Sequence, residues 1–167
     1  MAELSPIEWA LRPLKKYAVF SGRAPRAELW WYLLFLIIAV VLGLIVESIL
    51  GLPKLFFIYG PLTLLIALGT FVPSLAVQVR RLHDRNYSGW WLAAFWLLEI
   101  LLQIFGPLGP VAGKFPILAG ALALSVFAVS ITLIVFWARP GTPSDNRYGP
   151  NPYGKTTHGA GPRVTES

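Results

Sequence analysis

The run LWWYLLFLIIAVVLGLIV, residues 29–46, holds 18 consecutive residues without a charged side chain. A helix needs roughly 20 mostly apolar residues to cross about 30 Å of hydrocarbon, so this run reads as a transmembrane span. Two more runs are as clean: residues 55–79 are charge-free over 25 positions and residues 115–138 over 24. A fourth, residues 87–113, is interrupted by Glu99 and closed by Gly106, Pro107, Gly109 and Pro110, which leaves a usable helix over residues 90–105. The spacing predicts spans at about 29–50, 56–80, 90–105 and 116–138.

Composition agrees with that reading. Of 167 residues, 56% are hydrophobic and 13% are charged, against about 25% charged in soluble domains, which disfavours a soluble globular enzyme. Seven Trp, ten Phe and six Tyr rule out intrinsic disorder for most of the chain. The absence of cysteine excludes disulfides, thiolate zinc sites, iron–sulfur clusters and cysteine nucleophiles. The first long apolar run begins near residue 29, too far along for the core of a signal peptide, so span one is expected to be retained.

The net charge of +6 raises the question of nucleic acid, and the placement of the charges answers it. Arg12, Lys15, Lys16, Arg23 and Arg26 precede span one. Arg80, Arg81 and Arg85 lie between spans two and three, and Arg139, Arg147, Lys155 and Arg163 follow span four. Only Lys54 and Lys114 occupy the opposite loops, a twelve-to-two bias that puts both termini in the cytoplasm. The basic excess thus follows from topology, without nucleic acid. Trp30, Trp31, Trp90, Trp91 and Trp137 fall at the same predicted ends, where an indole anchors in the head-group zone.

Residues 1–24 form the predicted cytoplasmic N-terminal region. Ser5-Pro6-Ile7-Glu8 reads as a capping box opening a short helix. Its apolar residues Ile7, Ala10, Leu11, Leu14 and Ala18 recur at helical spacing, which suggests an amphipathic helix on the membrane surface, with packing on the bundle as the alternative. Pro13 should kink or end it. In span two Pro61 suits a first turn and Pro73 should introduce a kink, while Asn86 suits left-handed closure. Span four carries Gly120, Ala121, Ala123, Ser125, Ala128 and Ser130, small residues that permit close helix approach. Residues 139–167 read as a cytoplasmic segment, disordered after about residue 153.

Three polar clusters share the cytoplasmic side: residues 21–28, residues 80–85 and residues 140–150. Pro25 fits a helix start, with Glu28 in the first turn where the dipole favours a carboxylate. Arg80, Arg81, His83 and Arg85 suit a helix end, but Asp84 opposes the dipole there and calls for a cation. Arg80 or Arg81 could supply it locally, and Arg23, Arg26 or Arg147 across the bundle.

These segments, with Trp30-Trp31 and Ser88-Gly89-Trp90-Trp91, resemble the domain of unknown function 805 family of small bacterial inner-membrane proteins. The resemblance covers about residues 17–154. It rests on Gly22-Arg23-Ala24 with Glu28-Leu29-Trp30-Trp31, on Arg80-Arg81-Leu82-His83-Asp84, and on Gly141-Thr142 with Asn146-Arg147-Tyr148-Gly149. It implies a multipass inner-membrane protein and supplies no catalytic residues. Pro13 and Pro25 depart from the family's usual pattern.

The expected architecture is an all-α, four-span bundle with an N-terminal surface helix and a membrane domain over residues 25–138. Adjacent helical residues project about 100° apart, so His83 and Asp84 cannot form a dyad with each other, and with no nucleophile or metal set the reading is non-enzymatic. No metal and no cofactor are expected. Arg23, Arg26, Arg80 and Arg81, with Glu28, His83, Asp84, Asn146, Arg147 and Tyr148, can be read in two ways. They form an internal salt-bridge network, or they face anionic lipid head groups or a protein partner. The leading function is a scaffold or accessory protein, with homo-oligomers also open. The alternative is a small transporter or channel using Glu99 and Gln103. Glu99 lies nine residues beyond Trp90, about 14 Å deeper at roughly 1.5 Å per residue, so it should face the bundle, protonated or hydrogen-bonded.

The charge bias predicts that a single cysteine at Ser144 reacts with an impermeant thiol reagent only from the cytoplasmic side, and one at Leu108 only from the periplasmic side. The reverse pattern would overturn the topology.

Overall fold

The computed structural model describes residues 4–55, 59–105 and 116–153. The described residues are all-helical, with no strand among them: α1 (Pro6–Lys15), α2 (Arg26–Ile49), α3 (Pro61–Asp84), α4 (Trp90–Phe105) and α5 (Pro116–Ala138). Three of these, α2, α3 and α5, are long and apolar enough to cross a membrane. The 16-residue α4 is equally apolar and reaches about 24 Å at roughly 1.5 Å per residue, short of a full hydrocarbon thickness. The predicted disorder after about residue 153 and the glycine–proline exit after residue 105 fall outside the described residues.

The capping box of α1 forms as the sequence predicts. The Ser5 hydroxyl accepts the Glu8 amide and the Glu8 carboxylate accepts the Ser5 amide at 2.7 Å. That backbone bond, then the Ser5 hydroxyl, holds the exposed Glu8 carboxyl below the usual carboxylate range. Pro13 does not stop the helix at once; α1 runs two residues further, to Lys15. Ala10 and Pro13 are buried, and Leu14 packs on the cluster of Ala24, Leu29, Tyr32 and Val77, so α1 docks on α2 and α3. Ile7, by contrast, points away and is 69% exposed.

One deviation concerns packing. The small residues of α5 do not make its contact face: Gly120, Ala121, Ser125 and Ala128 are exposed, while Val126 and Leu133 are buried. Trp137, expected at the interface, is half-buried. It packs against both hydrophobic clusters, one formed by Leu29, Tyr32 and Val77 and the other by Leu82, Leu92 and Leu133. Around Pro73, α3 is unbroken and the proline is buried. The Ser74 hydroxyl donates to the Thr70 carbonyl at 2.6 Å, and Tyr32 Oη lies 3.2 Å from that hydroxyl, which ties α2 to α3 there. Beyond Asp84 the chain closes as expected, with Asn86 at φ 62°.

At the other end of the α2–α3 hairpin Glu47 is fully buried. Its carboxylate accepts the amides of Gly60 at 3.0 Å and Thr63 at 2.7 Å, and the Thr63 hydroxyl at 3.0 Å, with Lys54 Nζ 3.9 Å away. A residue of α2 thus does for α3 what an N-cap side chain ordinarily does from within a helix. A Cβ on Gly60 would meet the carboxylate at 2.6–2.8 Å, which is why glycine precedes the helix.

Glu47→Ala should lower stability by about 1–3 kcal/mol by leaving those donors unpaired, and Gly60→Ala should lower it by forcing the carboxylate off them. Thermal midpoints in mild detergent check both, with the exposed Ser48→Ala as control. No difference from the control would show that the cap contributes nothing.

A buried ionic clamp as the candidate functional site

The three polar segments meet beneath the bundle, and Asp84 is their hub. It ends α3 with no exposed surface. Arg23, from the loop before α2, places Nε 2.9 Å from Oδ1, and Arg81 pairs with Oδ2 from one turn earlier. The unfavourable position at a helix end is therefore answered twice, once across the bundle and once locally.

Each arginine also reaches backbone. Arg23 donates to the carbonyls of Ser144 at 2.8 Å and Thr142 at 2.7 Å. Arg81 donates to the Trp137 carbonyl at 3.1–3.2 Å and to that of Arg139, and Arg26 donates to Ala138 at 3.3 Å, so the last carbonyls of α5 are satisfied by arginines of other segments. Residues 140–151 fold back under α3: the Thr142 amide bonds the Asp84 carbonyl at 2.9 Å, and Asn146 Nδ2 bonds the His83 carbonyl at 3.0 Å. Asn146 also accepts the Tyr148 amide through Oδ1, closing a tight turn with Gly149. Gly141 lies so close to Asp84 that any Cβ would collide with its carboxylate.

His83 is half-buried and stacks on Tyr148, ring centroids 3.8 Å apart and nearly coplanar. Its Nδ1 lies 3.2 Å from the Gly22 carbonyl, which can only accept, so Nδ1 carries the proton. His83 and Asp84 are thus turned to different partners. Arg147 is exposed, bonds the Asn86 carbonyl at 3.1 Å and lies 4.8 Å over the Tyr148 ring.

A second ion pair stands beside the first. Glu28, fully buried in the first turn of α2, receives Arg80 Nη2 at 2.6 Å. Arg12 of α1 approaches its other oxygen at 3.5 Å, and Arg80 also donates to the Val19 carbonyl. The structure therefore gathers all ten predicted cytoplasmic residues into one assembly. Arg23, Arg80 and Arg81 are buried and internally paired, as the internal-network reading has it; the exposed cations at this end include Lys15, Arg26, Arg139 and Arg147.

Glu99 lies elsewhere, half-buried on α4, and no hydrogen bond or ion pair reaches it among the described residues. The Gln103 side chain lies outside the described residues. Reasoning from sequence overlooked Glu47 and Thr63; an acid closing an apolar run, followed by a Gly-Pro helix start, was the available signal. Among the described residues no group of three His, Asp or Glu side chains is placed to hold a metal.

The chain belongs to the family described as proteins of unknown function, DUF805, which matches residues 17–150. It is 34% identical to inner membrane protein YhaH of Escherichia coli strain K12 over 147 residues, covering 87% of this chain and 97% of YhaH. It is 33% identical to inner membrane protein YhaI of the same strain over 146 residues, covering 87% and 96%. No solved structure matches the chain.

Asp84→Asn should destabilise the protein by about 3–5 kcal/mol, because it leaves two buried guanidinium groups uncompensated. Asp145→Asn, at an exposed acid bonded to the Asn151 amide, should change little. Thermal midpoints in detergent compare them; equal midpoints for Asp84→Asn and wild type would show the clamp to be energetically idle.

Proposed function

We propose that the chain is a non-enzymatic scaffold or accessory protein of the bacterial inner membrane, with α2 to α5 as four spans and both termini cytoplasmic. The clamp in this reading is a rigid floor, and α1 lies along the membrane surface beside it. The observation that carries the proposal is the internal ion pairing of the motif residues. Arg23, Arg80, Arg81, Glu28 and Asp84 hold the helix ends together and present no open reactive group, while Lys15, Arg26, Arg139 and Arg147 remain exposed around them. A surface of this sign at a cytoplasmic boundary suits anionic head groups, at about 1 kcal/mol per basic residue. A protein partner with an acidic patch would use the same residues.

A half-buried Glu99 without a described partner favours one second reading, a small transporter or channel, since an intramembrane acid is a functional hypothesis by default. The two readings separate in proteoliposomes. The scaffold reading expects no proton flux above protein-free vesicles and preferential retention of phosphatidylglycerol over phosphatidylcholine, with the preference reduced in Lys15→Gln/Arg139→Gln. Proton flux in wild type that Glu99→Gln abolishes would replace it with the transporter. Equal retention of both lipids would remove the basic face from it.

A further inference from the structure

Arg85, at the C-cap of α3, is the one arginine of its run outside both ion pairs. Its guanidinium carbon lies 4.8 Å from the Phe136 ring centroid and 5.9 Å from that of Tyr87. Nη1 is buried and has no hydrogen-bond acceptor among the described residues. The two ring contacts hold the guanidinium in place but supply no hydrogen-bond acceptor of the ordinary kind for its N–H donors. The nearby acid cannot serve, because Asp84 is held by Arg23 and Arg81. Among the other described acids of this end, Glu28 is buried with Arg80, and Glu8 and Asp145 are tied to Ser5 and Asn151. No described acid at this end is therefore free to complete Arg85.

The rings that hold Arg85 also line an apolar cavity of about 380 Å³ between α4 and α5. Trp91, Phe95 and Leu98 on α4 and Val129, Leu133 and Phe136 on α5 line it. Both sets are spaced i, i+4, i+7, so each helix turns one continuous stripe toward the groove. From Trp91 to Leu98 it descends about 10 Å at roughly 1.5 Å per residue. It thus joins an unpaired guanidinium, at the level where helices end, to a slot with the chemistry of a hydrocarbon tail.

We propose that this groove binds one anionic phospholipid, an acyl chain lying between α4 and α5 and the phosphate bound by Arg85. The proposal rests on the reading that this end of the bundle faces the cytoplasmic leaflet, and it adds a particular site to the diffuse basic face. Arginine matches phosphate with paired N–H donors, and basic pockets between spans are where lipid head groups are held. A second copy of this chain fits less well, because its described acids at this end are already engaged.

The test uses the full chain in mild detergent, titrated with phosphatidylglycerol carrying brominated acyl chains, which quench indoles on contact. The Trp91 contribution is the difference between wild type and Trp91→Phe. Saturable quenching of that contribution is expected, and Arg85→Gln should raise its half-saturation concentration about tenfold, the loss of one charge-assisted contact. Arg85→Lys, which keeps the charge and loses the fork, should fall between. Ala94→Phe, on the groove wall and away from Arg85, should abolish the quenching in a protein of unchanged helicity. Lys15→Gln/Arg139→Gln should lower total phosphatidylglycerol retained and leave Trp91 quenching intact, so the site and the basic face fail separately. Half-saturation unmoved by both Arg85 variants, or Trp91 quenching that never saturates, would overturn the proposal.

Discussion

The carboxylate of Asp84 is the constraint on which the clamped end of this protein depends. A buried charge is tolerated only when paired and hydrogen-bonded, and Asp84 recruits Arg23 and Arg81 for that purpose. Each guanidinium has donors left over, and these go to the carbonyls of Trp137, Arg139, Thr142 and Ser144. One acid therefore aligns the loop before α2, the end of α3, the end of α5 and the segment after it. The ion pairs act as a register device more than as a reservoir of stability, since a well-packed apolar substitute would hold the helices as tightly without selecting their ends.

A bilayer makes such a device necessary. Between spans there is no hydrophobic driving force, because lipid tails are as apolar as leucine, so helices are held by packing and by polar contacts. The α2–α3 hairpin is pinned at both ends, by Glu47 on the amides of Gly60 and Thr63 and by Glu28 on Arg80. Between the pins, Tyr32 and Ser74 supply a contact, and Gly43 admits the Thr63 methyl to the backbone of α2. Much of the remaining surface of α2, from Leu33 through Ile49, is exposed.

The helices were legible because their signals are local. Residues 29–46 announce a span by themselves, and Ser5 with Glu8 announces a cap within four positions. The need of Asp84 for a cation was legible for the same reason, since the helix end that makes it unfavourable is written in neighbouring residues. Which cation answered was not: Arg23, Arg26 and Arg147 are equivalent in type, and only the fold brings Arg23 to Asp84 while sending Arg26 to Ala138 and Arg147 to Asn86. Which residues of α5 face the bundle was not legible, because composition does not say which way a helix is turned. Glu47 escaped notice because its partners are backbone amides, which every sequence has and no sequence displays.

The clamp also determines what happens on the far side of α5. Arg81 grips the carbonyls of Trp137 and Arg139, and that grip sets the rotation of the last turn of α5 against α3. Phe136 belongs to that turn, so the ring on which Arg85 stacks is positioned by the pairing of Arg81 with Asp84. The other ring, Tyr87, follows directly from the left-handed turn at Asn86 and meets Phe136 edge-on, centroids 4.7 Å apart. Arg81 and Arg85 are one helical turn apart with opposite assignments: the first is consumed by the protein's own acid and carbonyls, the second is oriented by aromatic faces that cannot neutralise it. The network that closes this end of the bundle thus leaves, one turn away, a buried Arg85 nitrogen without an acceptor among the described residues, beside rings that line an apolar groove.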